Sequence, residues 1–236
     1  RSRLLLEIIR EARQRVKPRF AIGVKLNSAD FQHGGFTHED CLSVVEWLNI
    51  ENVDFIEVSG GNYEQPQMMN AELGTAPEND GRLAASTIAR EAYFVEYAKS
   101  VSAHAKAPVM ATGGFRTKQA MEAALNARMT DLIGVARPLC TEPDLPARLI
   151  AGEADSAANH GSKKKLGPTR LLSPKSPFRL VKALNVWGMQ AWYQGQIGLL
   201  ASTGAPNINL GMLKALSQMQ ASVKRKTEAY REDMGL

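Results

Sequence analysis

Cysteine is nearly missing from this chain: Cys41 and Cys140 are the two in 236 residues, with no CxxC spacing. That excludes a disulfide framework and fits a reducing compartment, so a cytoplasmic location is expected. Histidine is as sparse. His33, His38, His104 and His160 form neither HxH nor HExxH, and a protein-held metal is not expected. Excess charge is small, a net +5, and the one dense basic run is Lys163 to Lys165. It lies among Gly, Ser and Pro with no interleaved aromatics, which reads as a solvated loop; no nucleic-acid partner is expected. Long apolar runs are missing too. The longest uncharged stretch, Ala183 to Leu213, is interrupted by Asn185, Gln190, Gln194, Gln196, Pro206, Asn207 and Asn209. A bilayer span needs about 20 mostly apolar residues, so this stretch reads as packed helix plus loop, with no membrane role. There is no signal-peptide pattern. The chain opens inside a helical pattern without a methionine, and it reads as the downstream piece of something longer.

What is present is a regular alternation. Leu5, Ile8, Ile9, Ala12 and Val16 recur at helical spacing. "FAIGVKLN" (20–27) reads as a buried strand, followed by the polar loop "SADFQHGGF". Thr37 offers an N-cap with Asp40 at the capping-box position, and Cys41, Val44, Val45 and Leu48 form one apolar helix face. "VDFIEVS" (53–59) is the next strand and ends on Gly60 and Gly61. An irregular segment, 62–81, precedes a helix over 83–105. The strand in "APVMAT" ends on Gly113 and Gly114; Thr117 then caps a helix with Met121, Ala124 and Leu125 on one face. "DLIGVAR" (131–137) is the last strand, and "EPDLPARLIAG" starts a short helix stopped by Gly152. Near-continuous apolar strands alternating with helices predict a parallel sheet covered on both faces, either doubly wound or a (β/α)8 barrel. From about Glu153 the composition shifts to an extended segment. A helix follows, with Leu180, Leu184, Trp187, Ala191 and Trp192 on one side.

Two strand features ask for an explanation. Gly113 and Gly114 either make a tight turn or let backbone N–H groups approach an oxyanion at a helix N-terminus. Arg137, at the end of the next strand, is either a surface arginine or a guanidinium fork for the same phosphate. Lys25 sits inside an apolar strand, sharing a face with Gly23 and Asn27. A lysine there must be paired or used. An ion pair with Glu57 across a barrel interior and a contact to a ligand are the two readings.

The segments "VKLNSADFQHGGFT", "VDFIEVSGGNYEQP", "VMATGGFRT" and "DLIGVARPLCTEPDLP" together resemble the downstream half of the Old Yellow Enzyme family, the NADH:flavin oxidoreductases. The resemblance covers roughly residues 1–155. It implies a (β/α)8 TIM-type barrel of which strands five to eight are present, with 156–236 as a linker and helical C-terminal extension. It further implies FMN at the C-terminal mouth of the barrel. Lys25 matches the basic residue at the flavin N1/C2-carbonyl edge, and Ser59 and Gly60 match the strand end beside the cofactor. Gly113 and Gly114 match the phosphate-holding backbone, and Arg137 the phosphate arginine. Ala136 stands where glycine is common before that arginine. The family passes hydride from NADH or NADPH through FMN to an activated alkene such as an enone. Its tyrosine acid and carbonyl-gripping pair belong to the first half of the barrel, and no residue here matches them; Tyr63 and Tyr93 do not. With no cysteine after Cys140, the iron–sulfur cluster of some longer relatives is not implied.

The function expected is therefore FMN-dependent NAD(P)H oxidoreduction of a small molecule, by a chain lacking its catalytic acid. A phosphate-binding isomerase or lyase barrel, and a non-catalytic remnant, are the alternatives that Gly113, Gly114, Arg137 and Lys25 leave open. A homo-oligomer is compatible with all three.

Overall fold

A computed structural model describes residues 2–30, 34–59 and 97–235. The loop residues 31–33, Gly60 and Gly61, the 62–81 segment and all of the 83–105 helix before residue 97 lie outside the described residues. Described residues up to Ala136 form one compact unit, and those from Arg137 onward form a second. The family resemblance puts its boundary near 155.

The first unit runs α1 (Arg3–Arg15), β1 (Gly23–Asn27), α2 (His38–Glu51), β2 (Phe55–Ser59), helical residues 97–102 as α3, β3 (Val109–Thr112), α4 (Lys118–Asn126) and β4 (Leu132–Gly134). The helix starts follow from their caps. The Thr37 hydroxyl accepts the Asp40 N–H at 3.2 Å, and the Asp40 carboxylate accepts the Thr37 N–H at 3.0 Å. Thr117 accepts from the Ala120 N–H at 3.2 Å. Helix α2 buries the predicted face, Cys41, Val44, Val45 and Leu48. The predicted α1 face is narrower: Ile9 is buried and Ile8 points outward. Leu125 of α4 is likewise exposed beside buried Met121 and Ala124.

All four strands are parallel, in the order β1-β2-β3-β4. A doubly wound sheet reverses its strand order at a switch point; this one does not. Right-handed crossovers in a sheet of sequential order place the helices on one face. Burial agrees. Val24, Leu26, Ile56, Val58, Val109 and Ala111 are buried, while the alternate positions Lys25, Glu57, Met110 and Leu132 are partly or well exposed. The expectation of a sheet covered on both faces is thus corrected among the described residues. The apolar runs arose because the second face carries Phe55, Met110 and Leu132 beside its polar residues.

One device recurs at the N-terminal ends of the strands. Asp54 donates its N–H to the Ile22 carbonyl at 2.9 Å and takes back the Ile22 N–H on its carboxylate at 2.6 Å. Asp131 does the same with Val109, at 2.8 Å in each direction. Each clamp joins neighbouring strands at their start and fixes their register. Thr130, buried, accepts the Ala111 N–H at 3.0 Å and donates to the Val109 carbonyl at 2.7 Å. Arg13 of α1 adds a 2.5 Å ion pair to Asp54.

The second unit holds a 3-10 turn (Arg137–Cys140), α5 (Leu145–Ala151, ended by Gly152 at φ 75), and the hairpin of α6 (Arg179–Thr203) and α7 (Met212–Met234). The predicted α6 face is corrected. Leu180 and Trp187 are exposed, and the buried stripe is Asn185, Gly188, Ala191, Trp192 and Gln196. Asn185 and Gln196 are tolerated inside because loop backbone satisfies them. Asn185 accepts from Leu166 N–H at 3.2 Å, and Gln196 exchanges two bonds with Asn207, at 3.0 and 2.7 Å. Gly188 lets Met212 approach closely; a Cβ there would lie 2.5 Å from the methionine methyl. Lys164 is a second correction. Its Nζ bonds to the Ile208 carbonyl and lies 5.0 Å from the Trp192 ring centroid, so the basic run is not wholly solvated. Among the described residues no helix is long and apolar enough to cross a membrane.

The Asp54 clamp predicts an acid sensitivity. Its carboxyl is held below the ordinary aspartate range, first by the Ile22 N–H and then by Arg13. A carboxylate with a lowered folded value stabilises fully above its unfolded pKa, about 3.9, and loses that contribution as pH falls through the folded value. Urea midpoints of wild type and Asp54→Asn should therefore differ most near neutral pH and converge below about pH 4.

Candidate functional site

The open face of the sheet is layered by the strand register. In the lowest row Gly23 pairs with Phe55. The Phe55 ring lies across Gly23, where a Cβ would sit 2.1 Å from it. The middle row is Lys25, Glu57, Met110 and Leu132. The top row, at the C-terminal strand ends, holds Asn27 paired with Ser59 and Thr112 paired with Gly134.

Lys25 is therefore not buried, and it does not reach across an interior. It pairs with its direct cross-strand neighbour: Nζ lies 2.5 Å from Glu57 Oε1, with the side chains 57% and 18% exposed. The two adjacent strands carry the pair in the same row, which a reading of single strands does not show. Ser59, in the row above, donates to the Leu26 carbonyl at 3.4 Å while its own carbonyl accepts the Ser28 N–H at 2.6 Å.

Gly113 and Gly114 have φ of 99° and 82°, the left-handed region that disfavours any Cβ. Both readings of the pair are realised in part. The Gly113 N–H closes the ladder onto the Gly134 carbonyl at 3.2 Å. The Gly114 N–H, with no acceptor among the described residues, is the donor the pair can offer. Departure of the chain from extended geometry at Gly113 also ends β4. The predicted strand 131–137 stops at Gly134, because Thr112–Gly134 is the last register pair. Val135 and Ala136 lie past the ladder. Arg137 opens the second unit as the first residue of a 3-10 turn, with the Thr141 and Glu142 N–H groups on the Pro138 carbonyl at 3.0 and 2.8 Å. The sheet thus brings together Lys25, Ser59, Gly113 and Gly114; Gly60 lies outside the described residues.

Sequence reasoning passed over three polar groups at these strand ends. Among the described residues, Asn27 Oδ1, Ser28 Oγ and Thr112 Oγ1 are buried with no hydrogen-bond partner. Buried polar atoms are rarely left so, and each asks for a partner. Their sign in the sequence was the polar run closing each apolar strand. Among the described residues no cluster of three or more His, Cys, Asp or Glu is placed to hold a metal.

The family model for NADH:flavin oxidoreductases and NADH oxidases matches residues 1–156. The chain belongs to this family. It is 35% identical over 210 residues to the NADH-dependent flavin oxidoreductase iccE of Talaromyces variabilis, a match covering 86% of this chain and 48% of that protein. It is 35% identical over 158 residues to nadA, another NADH-dependent flavin oxidoreductase, of Aspergillus parasiticus, covering 66% of this chain and 33% of that one. The chain thus spans about half the length, or less, of these relatives. In structure it resembles a 2-naphthoyl-CoA reductase with a TM-score of 0.53, at 22% identity, over 66% of this chain and 22% of the other. That likeness speaks for the fold alone. Flavin-dependent, NADH-linked oxidoreduction is the chemistry for which the family is named.

The residues present fit such a cofactor. A positive-φ glycine pair leaves room for a phosphate, and the orphaned groups stand at the same strand ends. One of these depends on its neighbour: a Cβ on Gly134 would lie 1.9 Å from Thr112 Oγ1. Gly134→Ala should therefore destabilise the fold by about 1–3 kcal/mol, the usual cost of overpacking. Urea unfolding would show it, and adding Thr112→Ala should recover part of the loss.

Proposed function

We propose that this chain is the FMN-holding part of an NAD(P)H-dependent oxidoreductase that reduces an activated alkene such as an enone. The carrying observation is the placement of Lys25 and the positive-φ glycines on one sheet, Lys25 on its open face and the glycines at its C-terminal strand ends, beside unsatisfied polar groups. When bound, FMN supplies the hydride relay between the nicotinamide and the alkene. The chain's own residues bind and bias it. The Gly114 N–H would be offered to the phosphate, with the Gly113 turn keeping side chains clear; Arg137 is assigned to that phosphate by the family resemblance alone. Ser59 and Ala136 would line the cofactor with backbone. The Lys25 ammonium would face the pyrimidine edge, where a fixed cation favours the electron-rich state.

The sheet is read as strands five to eight of an eight-stranded barrel. Sequential parallel order, one-sided burial and an open face carrying exposed Leu132 support that reading. The proton donor and carbonyl grip would come from residues other than those of the described sheet. A phosphorylated-metabolite isomerase would use the same glycine turn, but the family match favours the flavin.

The test is FMN titration of the full chain followed by flavin fluorescence. Loss of one charge-assisted hydrogen bond costs roughly 1.5–3 kcal/mol. Arg137→Ala should thus weaken FMN about 10- to 150-fold at 1.4 kcal/mol per decade. Riboflavin, lacking the phosphate, should bind both proteins alike. A wild-type chain that takes up neither flavin would refute the proposal.

A further inference from the structure

Ten described residues form the open face of the sheet, and the register fixes their rows. Lys25 and Glu57 are the charged ones among them. Below the pair lies the Phe55 ring, drawn across Gly23. Beside Glu57 in the row stands Met110, then Leu132. Above are the uncharged Asn27 and Ser59. The acid is the better covered partner, 18% exposed against 57% for the lysine. Its hydrogen-bond partner among the described residues is the Lys25 ammonium, at 2.5 Å.

We infer that Glu57 is a positioning residue of the cofactor site: it holds the Lys25 ammonium on the open face and offsets its charge there. A bound flavin then meets an ion pair, not a bare cation. The inference rests on the flavin reading of the site given above, and it adds a residue and a direction of control to it.

The physical case compares two effects of removing the carboxylate. Without Glu57 the flexible four-carbon stem of Lys25 leaves the ammonium less confined. That weakens its effect on a flavin. Removal also deletes a negative charge one side chain away from the cofactor edge. A charge acts over several ångströms with little attenuation where a bound ligand shields the site from water. The charge effect is the larger, so Glu57 holds the reduction potential of the bound cofactor down. A lysine alone would make the cofactor hard to re-oxidise by substrate; the pair moderates it. A surface ion pair with only a stabilising role would move unfolding slightly and the potential not at all.

The experiment measures FMN affinity and the two-electron midpoint potential for four forms of the full chain: wild type, Glu57→Gln, Lys25→Met and the double variant. Circular dichroism checks that each is folded. Glu57→Gln should raise the ratio of reduced-to-oxidised FMN binding about tenfold, a rise of about 30 mV. Lys25→Met should lower the potential by a similar amount, and the double variant should return close to wild type. If Glu57→Gln does not fold, the comparison of Lys25→Met with the double variant decides: adding the glutamine must raise the potential. FMN binding with an unchanged or lowered potential in Glu57→Gln overturns the inference and leaves the flavin reading standing. No FMN binding by wild type overturns both.

Discussion

The register of the four parallel strands is the constraint from which everything else follows. It is fixed at both ends. At the start, Asp54 and Asp131 each exchange two hydrogen bonds with the neighbouring strand. At the finish, Gly113 leaves extended geometry with a φ of 99° and returns its N–H to the Gly134 carbonyl. A slip of one residue would send every side chain to the other face. Lys25 would then enter the layer now filled by Val24 and Leu26, at the cost of burying a charge. The aspartates and glycines hold the lysine on the open face more firmly than its own exposed ion pair can.

That open face is mixed by design of the rows. The lowest is sealed by an aromatic ring, the middle joins an ion pair to Met110 and Leu132, and the top is polar. Layers of this kind are how a parallel barrel fills its interior, each row drawn from several strands. Here one side of each layer lacks its complement among the described residues, which is why Leu132 remains 44% exposed. An apolar side chain in a row with a charge pair is stable only where further atoms cover it or a ligand lies on it.

Much of this was legible in the sequence because it is local. Capping residues Thr37 and Thr117, the buried face of α2, the double glycine and the anomalous Lys25 are all marked within a few residues. What was not legible is what depends on a neighbour distant in the chain. The sequence offered Lys25 and Glu57 as a pair across an interior; only the register makes them direct neighbours on adjacent strands. The α6 helix misleads for the same reason. Hydropathy selects Leu180 and Trp187, yet the loop carbonyls and N–H groups that satisfy Asn185 and Gln196 turn the polar stripe inward. Lys164 looks solvated until Trp192 and the Ile208 carbonyl are placed beside it. The α7 helix lay within the expected helical extension without being placed by it; its last turns are exposed and follow from the helix-forming run Lys224 to Asp233.

The two ends of the sheet differ in how their polar groups are met, and the difference separates stability from function. At the N-terminal ends the clamps satisfy donor and acceptor alike, with Thr130 bonded in both roles. At the C-terminal ends Asn27 Oδ1, Ser28 Oγ and Thr112 Oγ1 have no partner. His38 Nδ1 and Ser102 Oγ, the other two orphaned atoms, belong to the helical layer. Each unmet group costs about 1–3 kcal/mol, and nothing in the fold requires three of them at one rim. Gly134 even gives up its side chain to seat the Thr112 hydroxyl there. Under the flavin reading proposed above, these unmet groups and the Lys25–Glu57 pair would meet a ligand that brings its own donors, acceptors and negative charge.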